Sequence, residues 1–377
     1  MTPLGLLLPA LVVVLALAPI RRPFPLAVAG WIVGLLAVEL PLHLGIAVVG
    51  GTAPAFLDGD VTRADLVAAG MLALILAGLG VLLAHQLAAA RVLDAALEEA
   101  GVTTTRPASS QRTPWLRVLF QPFPLRPRAV RRERLRYGPD PAAHRLILYV
   151  RRAAGGSDPV RGVLVHLHGG HFRSGGPGRE SRALLFDHAL RGWAAISATY
   201  HLAPTPEGGF PRHLQDVKRL LAWIREHGPE HGIPADAPIV VAGSSAGAHL
   251  AAMTALTAGD PRFQPGFEHA DTRLAGAIGL YGYYGRLGLE TRDVSDPVRH
   301  PAEGAPPFFV VHGTRDTYTP LTGSRRLVRH LRGGSPNPVA YAELPGAQHG
   351  FDPFASPRYL AVVRALGAFT DRLAPGS

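Results

Sequence analysis

The sequence predicts an α/β fold, a mostly parallel sheet with helices on both faces, preceded by an N-terminal transmembrane helical region. Three observations predict it. Short strand-like runs alternate with helix-period segments from about residue 134 onward. The pentapeptide Gly243-Ser244-Ser245-Ala246-Gly247 lies between an apolar run at 237–242 and a helix-forming run at 249–256. Three long apolar stretches occupy the first ninety residues.

A chain of 377 residues suits one membrane region plus one large globular domain. We divide it into a transmembrane helical region of about three spans (1–92), an Arg/Pro-rich linker and cap (93–136) and a catalytic domain (137–377). The absence of cysteine excludes disulfides, thiol chemistry and Cys-based zinc sites. The net charge of +10 comes with an Arg-rich, Lys-poor composition and no recognisable nucleic-acid-binding fold, so no nucleic-acid partner is expected. There is no P-loop, no Gly-x-Gly-x-x-Gly after a strand and no internal repeat, and no cofactor is expected.

The apolar stretches run over residues 4–20, interrupted by Pro9 and Pro19, over 24–51, with Glu39 and His43, and over 66–90, with His85. Each approaches the ~20 residues that cross a hydrocarbon core. The first lacks a basic start and an Ala-x-Ala site and carries Arg21-Arg22 on its far side, so it reads as a span rather than a cleaved signal. Arginines lie in the first loop and after the third stretch, whereas Asp58, Asp60 and Asp65 lie in the second loop. The positive-inside rule then predicts a multi-pass inner- or plasma-membrane protein with a cytoplasmic C-terminal part. Glu39 and His43 are spaced to face each other on one helical turn. The linker at 105–136 holds nine arginines, one acid (Glu133) and the aromatics Trp115, Phe120 and Phe123, a composition that suits an anionic membrane surface.

Beyond the linker, strands are predicted at 146–150, 163–167, 194–200, 237–242, 274–280, 308–311 and 339–344. Helices are predicted at 182–191, 214–226, 249–256, 321–331 and 359–373. In such a sheet functional groups belong at the C-terminal strand ends. Strand, Gly-x-Ser-x-Gly and helix in succession is the setting of a nucleophile elbow, with Ser245 at its tip. A serine hydroxyl needs a base, usually a histidine held by a carboxylate. His349 follows the last strand and Asp316 follows the strand at 308–311, in the chain order Ser, Asp, His. Oxyanion donors are assigned to the N–H groups of Gly169 and Gly170 in His168-Gly169-Gly170-His171 and of Ala246. His171 and Tyr281 are expected to bind substrate. His166, His168 and His171 have no carboxylate nearby to complete a zinc pattern, so no metal is expected.

The motifs His168-Gly169-Gly170, Tyr200-His201-Leu202-Ala203-Pro204, Phe210-Pro211 with Asp216, Gly243 to Gly247, Gly313-Thr314-Arg315-Asp316 and His349-Gly350-Phe351 cover roughly residues 160–355. On them the chain resembles the α/β-hydrolase carboxylesterases and lipases of the hormone-sensitive-lipase-like group. The resemblance implies a Ser–His–Asp triad and a His-Gly-Gly oxyanion loop. The chain departs from the group's pattern at His171 (usually Gly), Ser244 (often acidic) and Thr205 (usually Glu). It is more similar there to esterases with a His-Gly-Gly-x loop.

The expected function is a membrane-anchored serine carboxylesterase or lipase working through an acyl-enzyme on a small-molecule or lipid ester, with membrane lipid as a partner. An amidase or peptidase using the same triad is the alternative, followed by a non-catalytic binding protein. The pocket is expected to be capped by residues 115–128 and 263–269, with Trp115, Phe120 and Phe123 near its entrance. The catalytic part is expected to keep activity on short esters without residues 1–104.

Overall fold

A computed structural model describes residues 3–53, 62–104, 106–152, 160–289 and 291–374. The acidic loop with Asp58 and Asp60 lies outside the described residues. The apolar start folds as α1 (Leu7–Leu17), α2 (Phe24–Glu39), α3 (Pro41–Thr52) and α4 (Arg63–Glu99). A short α5 (Trp115–Phe120) follows, then β1 (Val130–Arg136), β2 (Arg145–Arg151), β3 (Val163–Leu167), α6 (Arg182–Leu190), β4 (Ala194–Ala198) and α7 (Arg212–His227). The chain continues through β5 (Ile239–Ser244), α8 (Ala246–Leu256), β6 (Gly276–Leu280), α9 (Arg292–Ser295), β7 (Phe308–Gly313), α10 (Leu321–Gly334), β8 (Val339–Leu344) and α11 (Pro357–Asp371).

The eight strands form one sheet in the order β1-β2-β4-β3-β5-β6-β7-β8. Pairing from β4 to β8 is parallel, and β2 runs antiparallel to both its neighbours. Strands β3 to β7 are buried on both faces, which explains their nearly unbroken apolar runs. Leu164, Val240, Ile278 and Phe309 point to the face covered by α4, α6 and α11. Val163, Val165 and Val241 meet α7 and α8 on the other face, and Val310 meets α8 and α10. The order turns back between β3 and β5, so a crevice opens at their C-terminal ends.

Strand β1 falls inside the segment assigned to the linker. Five of its seven residues are charged, which hides the strand period but suits an edge exposed to solvent.

The apolar region also differs from three plain spans. The stretch at 24–51 is broken at Leu40-Pro41, where α2 and α3 meet at 87°. Pro41 has no N–H to give and crowds the preceding turn. Glu39 and His43 therefore diverge. The Glu39 carboxylate pairs with Arg358 and accepts from Ser356 Oγ at 2.8 Å, all buried, and His43 Nε2–H donates to the Leu119 carbonyl at 3.0 Å. Helix α1 has 11 residues, about 17 Å, and is too short to cross a bilayer core alone. Helix α4 is long and apolar enough to cross, and the bent pair α2 and α3 adds a second crossing only if the two act as one.

At 37 residues, about 55 Å, α4 exceeds the thickness of a bilayer core. Its start is capped by Thr62 and Asp65, and its first half exposes Leu66, Val67, Leu74 and Val81. Past the limit at 92 it becomes a helix of the globular part. Ala89, Leu93, Ala96 and Leu97 are buried with the residues of β8 and α11. Deleting residues 1–104 therefore removes the α4 part of the cover on one face of the sheet, beside β8 and α11, contrary to the expected separability. The truncated protein should aggregate on expression. In the full chain Leu93→Ala should cost about 2–5 kcal/mol, read as a lowered denaturation midpoint.

Candidate active site

Ser245 follows β5 and precedes α8 with φ +54° and ψ −113°. This backbone is rare for a residue with a side chain. The flanking glycines permit it, since a Cβ on Gly243 would overlap the Gly247 backbone and one on Gly247 would overlap the Leu167 carbonyl. The Ser245 N–H is tied to the Leu280 carbonyl at 2.9 Å. The hydroxyl thus projects at the end of β5, beside the loop that follows β3.

His349 comes from the loop between β8 and α11, and its Nε2 lies 2.9 Å from Ser245 Oγ. Its Nδ1 lies 2.8 Å from Asp316 Oδ2, just past β7. A carboxylate can only accept, so Nδ1 carries the proton and Nε2 is left to accept from the serine. Asp316 is held in turn by the N–H groups of Tyr318 (2.8 Å) and Thr319 (2.7 Å), by Thr319 Oγ1 (3.0 Å) and by His312 Nε2 (3.2 Å). Burial works to raise its pKa. The His349 imidazole and the hydrogen bonds from His312 and His349 outweigh burial and hold it well below the usual carboxylate range.

The structure changes one assignment in the oxyanion loop. The Gly169 N–H points away from Ser245 and donates to the buried Glu180 carboxylate. The N–H groups of Gly170, His171 and Ala246 make no hydrogen bond among the described residues, and they are the free donors beside Ser245. Gly170 and His171 have φ of +121° and +57°, the turn that exposes these groups. His168 supports the loop from behind. Its Nδ1–H donates to the Gly169 carbonyl at 2.7 Å, so Nε2 accepts from Thr199 Oγ1 at 3.0 Å. Burial lowers its pKa to about 4 and that of His166 to about 3, so both are neutral near pH 7.

Two cavities meet at Ser245. One, of about 450 Å³, is lined by Trp31, Leu35, Gly170, Tyr281 and His349. The other, of about 330 Å³, is lined by Phe24, Phe172, Tyr283, Leu287 and Tyr318. His171 borders both. Tyr281 sits edge-on against His349 at 4.8 Å, and its hydroxyl donates to Asp352. Trp115, Phe120 and Phe123 line neither cavity. They are exposed, with Phe123 packed on Phe354. Residues 263–269 line neither cavity, and Phe263 packs under α7 with Phe210. Helix α2 lines the larger cavity instead, with Trp31 and Leu35 on its wall and Trp31 against the His349 loop.

Sequence reasoning missed a buried carboxylate pair behind the nucleophile. Asp352 accepts from Ser244 Oγ at 2.7 Å and from Ser181 Oγ at 2.5 Å. Ser244 thus spends its proton on Asp352, so His166 Nε2–H donates to Ser244 Oγ at 3.0 Å. An acid absent at position 244 is supplied from the far side of the His349 loop. Asp352 lies one residue past His349-Gly350-Phe351, a findable signal, whereas Glu180 has no local motif.

Comparison with known proteins places the chain among ester hydrolases. The BD-FAE family model matches residues 148–285. The chain is 38% identical over 232 residues to the probable carboxylic ester hydrolase LipM of Mycobacterium tuberculosis, covering 55% of this chain and 53% of that protein. It is 33% identical over 287 residues to the esterase LipQ of the same organism, covering 69% of this chain and 67% of the relative. The chain belongs to the α/β-hydrolase carboxylic ester hydrolases. It spans about half the length of LipM and two thirds of LipQ. The apo form of Thermogutta terrifontis esterase 2 matches with a TM-score of 0.54 and 27% identity, covering 66% of this chain and 95% of that one. About a third of the present chain thus has no counterpart in that structure.

Glu180 also gives the site a pH signature. Burial first, and the neighbouring Asp352 carboxylate second, push its pKa up to about 7 against the pull of Arg179. The native state then holds this proton more tightly than the unfolded chain, with its ordinary value of 4.5. Its contribution to stability falls as pH rises from about 4.5 to 7 and is level above that. Glu180→Gln keeps an acceptor for the Gly169 N–H but removes the titration. The melting temperature of Glu180→Gln relative to the parent should therefore rise between pH 5 and pH 8. A constant difference across that range would show that Glu180 does not titrate there.

Proposed function

We propose that the chain is a membrane-associated serine carboxylesterase with Ser245 as nucleophile, His349 as general base and acid, and Asp316 as orienting carboxylate. The observation that carries this reading is the unbroken chain of hydrogen bonds from Ser245 Oγ through His349 to Asp316, placed where two cavities meet. Ser245 Oγ attacks the ester carbonyl carbon while His349 Nε2 takes its proton. The carbonyl oxygen becomes an oxyanion facing the N–H groups of Gly170, His171 and Ala246, at the N-terminus of α8. The intermediate collapses, the C–O bond to the alcohol breaks, and His349 returns the proton to the leaving oxygen. Water then attacks the acyl-enzyme with His349 again taking a proton, and the carboxylic acid leaves with Ser245 restored. The two cavities give the acyl and alcohol sides of the ester separate places.

Membrane association is supported by the exposed first half of α4 and by the exposed leucines, isoleucines and valines of α1 to α3. The arginine-rich residues that follow α4 favour the cytoplasmic side for the hydrolase part. The ester is then lipid-derived or otherwise apolar. A fluorescent-protein fusion after residue 377 should fluoresce, and an alkaline phosphatase fusion there should be silent; the reverse would place the hydrolase part outside.

Thermogutta terrifontis esterase 2 has been captured phosphorylated by paraoxon. Paraoxon should likewise label this chain once, on Ser245. Ser245→Ala should lose the label and lower kcat/KM for chromogenic esters by at least about 10³-fold, with the melting temperature little changed. A labelled, active Ser245→Ala protein would overturn the assignment.

A further inference from the structure

Helix α2 has three faces with different surroundings. Ala27, Gly30, Gly34 and Ala37 are buried, and a Cβ on Gly34 would stand 3.4 Å from the Ala16 backbone nitrogen, so small residues let α1 and α2 close together. Leu26, Ile32, Val33 and Leu36 are exposed. The third face holds Phe24, Trp31 and Leu35, spaced by seven and four, and it meets the catalytic loops.

The contacts of this face are specific. Trp31 Nε1–H donates to the His349 carbonyl at 2.7 Å. The indole lies edge-on to the His349 imidazole at 5.6 Å and 80°, and 5.4 Å from Tyr318. Phe24 also packs on Tyr318, at 5.6 Å. Leu35, one turn beyond Trp31, lines the larger cavity. The His349 loop is bracketed by Gly346 and Gly350 at φ +64° and +74°, so its conformation depends on what holds it from outside.

We propose that the face of α2 formed by Phe24, Trp31 and Leu35 is part of the substrate site, with Trp31 a positioning residue for His349 and Leu35 a determinant of chain length. The site then takes esters carrying a long apolar chain. The chain lies along α2 beside Leu35, and the exposed outer face of the same helix is continuous with lipid, so such a substrate reaches Ser245 without crossing water. Trp31 fixes the base by its backbone, where a displacement of about 1 Å costs rate steeply. The proposal rests on the reading of Ser245, His349 and Asp316 given above.

The test uses the full chain in lipid nanodiscs, with kcat and KM measured for p-nitrophenyl acetate, octanoate and laurate. Leu35→Trp fills the cavity beside the chain and should lower the laurate-to-acetate ratio of kcat/KM by about tenfold or more. Leu35→Ala, which opens it, should raise the same ratio and covers the case in which the larger residue fails to fold. Trp31→Phe keeps a ring against His349 but removes the N–H. It should lower kcat about 3- to 10-fold at every chain length, with KM little changed and the acid limb of the kcat profile displaced. Ile32→Ala, on the outer face, should keep the parental profile. The proposal is overturned if both Leu35 variants keep the parental ratio, or if Trp31→Phe keeps the parental kcat and pH profile. A parent inactive on all three esters overturns the catalytic reading and this proposal with it, whereas an active parent with unmoved variants overturns this proposal alone.

Discussion

The turn at Ser245 is the constraint from which the rest of the site follows. A serine at φ +54° at the end of a buried strand is unfavourable by itself and persists only where the surroundings over-determine it. Here β5 is locked between β3 and β6, with Leu167 paired to Gly243 and Ser244 paired to Leu280. That register puts the oxyanion loop on one side of Ser245 and Tyr281 on the other. Each of the remaining groups then needs only to leave its own strand end, Asp316 from β7 and His349 from β8, to reach the same crevice. The strain at one residue is thus offset by a sheet whose central strands are buried on both faces.

The second organising feature is the junction between the apolar helices and the hydrolase part. Glu39 meets Arg358, Gln86 Nε2 donates to the Val38 carbonyl at 2.6 Å, and Arg315 Nη1 donates to the Ala16 carbonyl at 3.3 Å. A fully buried ion pair is a poor source of stability but a strong selector of one docking geometry, since either charge left alone is costly. Arg315 neighbours Asp316, and Arg358 lies in the first turn of the helix after the His349 loop. Two polar contacts of the membrane-like region, those to Arg358 and Arg315, therefore end on the elements that flank His349 and Asp316. Helix α4 adds to this coupling, because one rigid rod is apolar and exposed at its start and part of the sheet's cover at its end.

Much of the sheet was legible in the sequence because β3 to β7 are buried on both faces and read as apolar runs. Ser245, Asp316 and His349 were legible because each follows such a run, and the structure brings the three together. What escaped reading was set by long-range packing. The period of β1 is masked by its arginines, as an edge allows. The continuation of α4 past residue 92 escaped because the helix period does not change where its surroundings turn from lipid-like to protein. The Gly169 donor was misassigned because its partner, Glu180, lies eleven residues on, in a loop with no pattern. Trp31 escaped because an aromatic in an apolar stretch looks the same whether it faces lipid or a catalytic loop.

Under the proposed mechanism, the buried acids behind Ser245 lie close to a developing oxyanion. Glu180 and Asp352 both stand within the wall of the larger cavity, where an unpaired carboxylate would oppose negative charge on the substrate. Asp352 spends its lone pairs on three hydroxyls, those of Ser181, Ser244 and Tyr281, and so ties the end of β5 to the end of β6. Glu180 is paired with Arg179 and takes the Gly169 N–H, so its charge is partly cancelled, while burial and the neighbouring Asp352 bias its carboxyl toward protonation. His166 and His168 are kept neutral by burial and add no compensating positive charge. The same two acids that could weaken the oxyanion site are thus the groups that hold its backbone in place. Their hydrogen bonds fix the turn at Ser244 and the loop at Gly169, and that geometry leaves the N–H groups of Gly170, His171 and Ala246 free beside Ser245, where the proposed mechanism needs them.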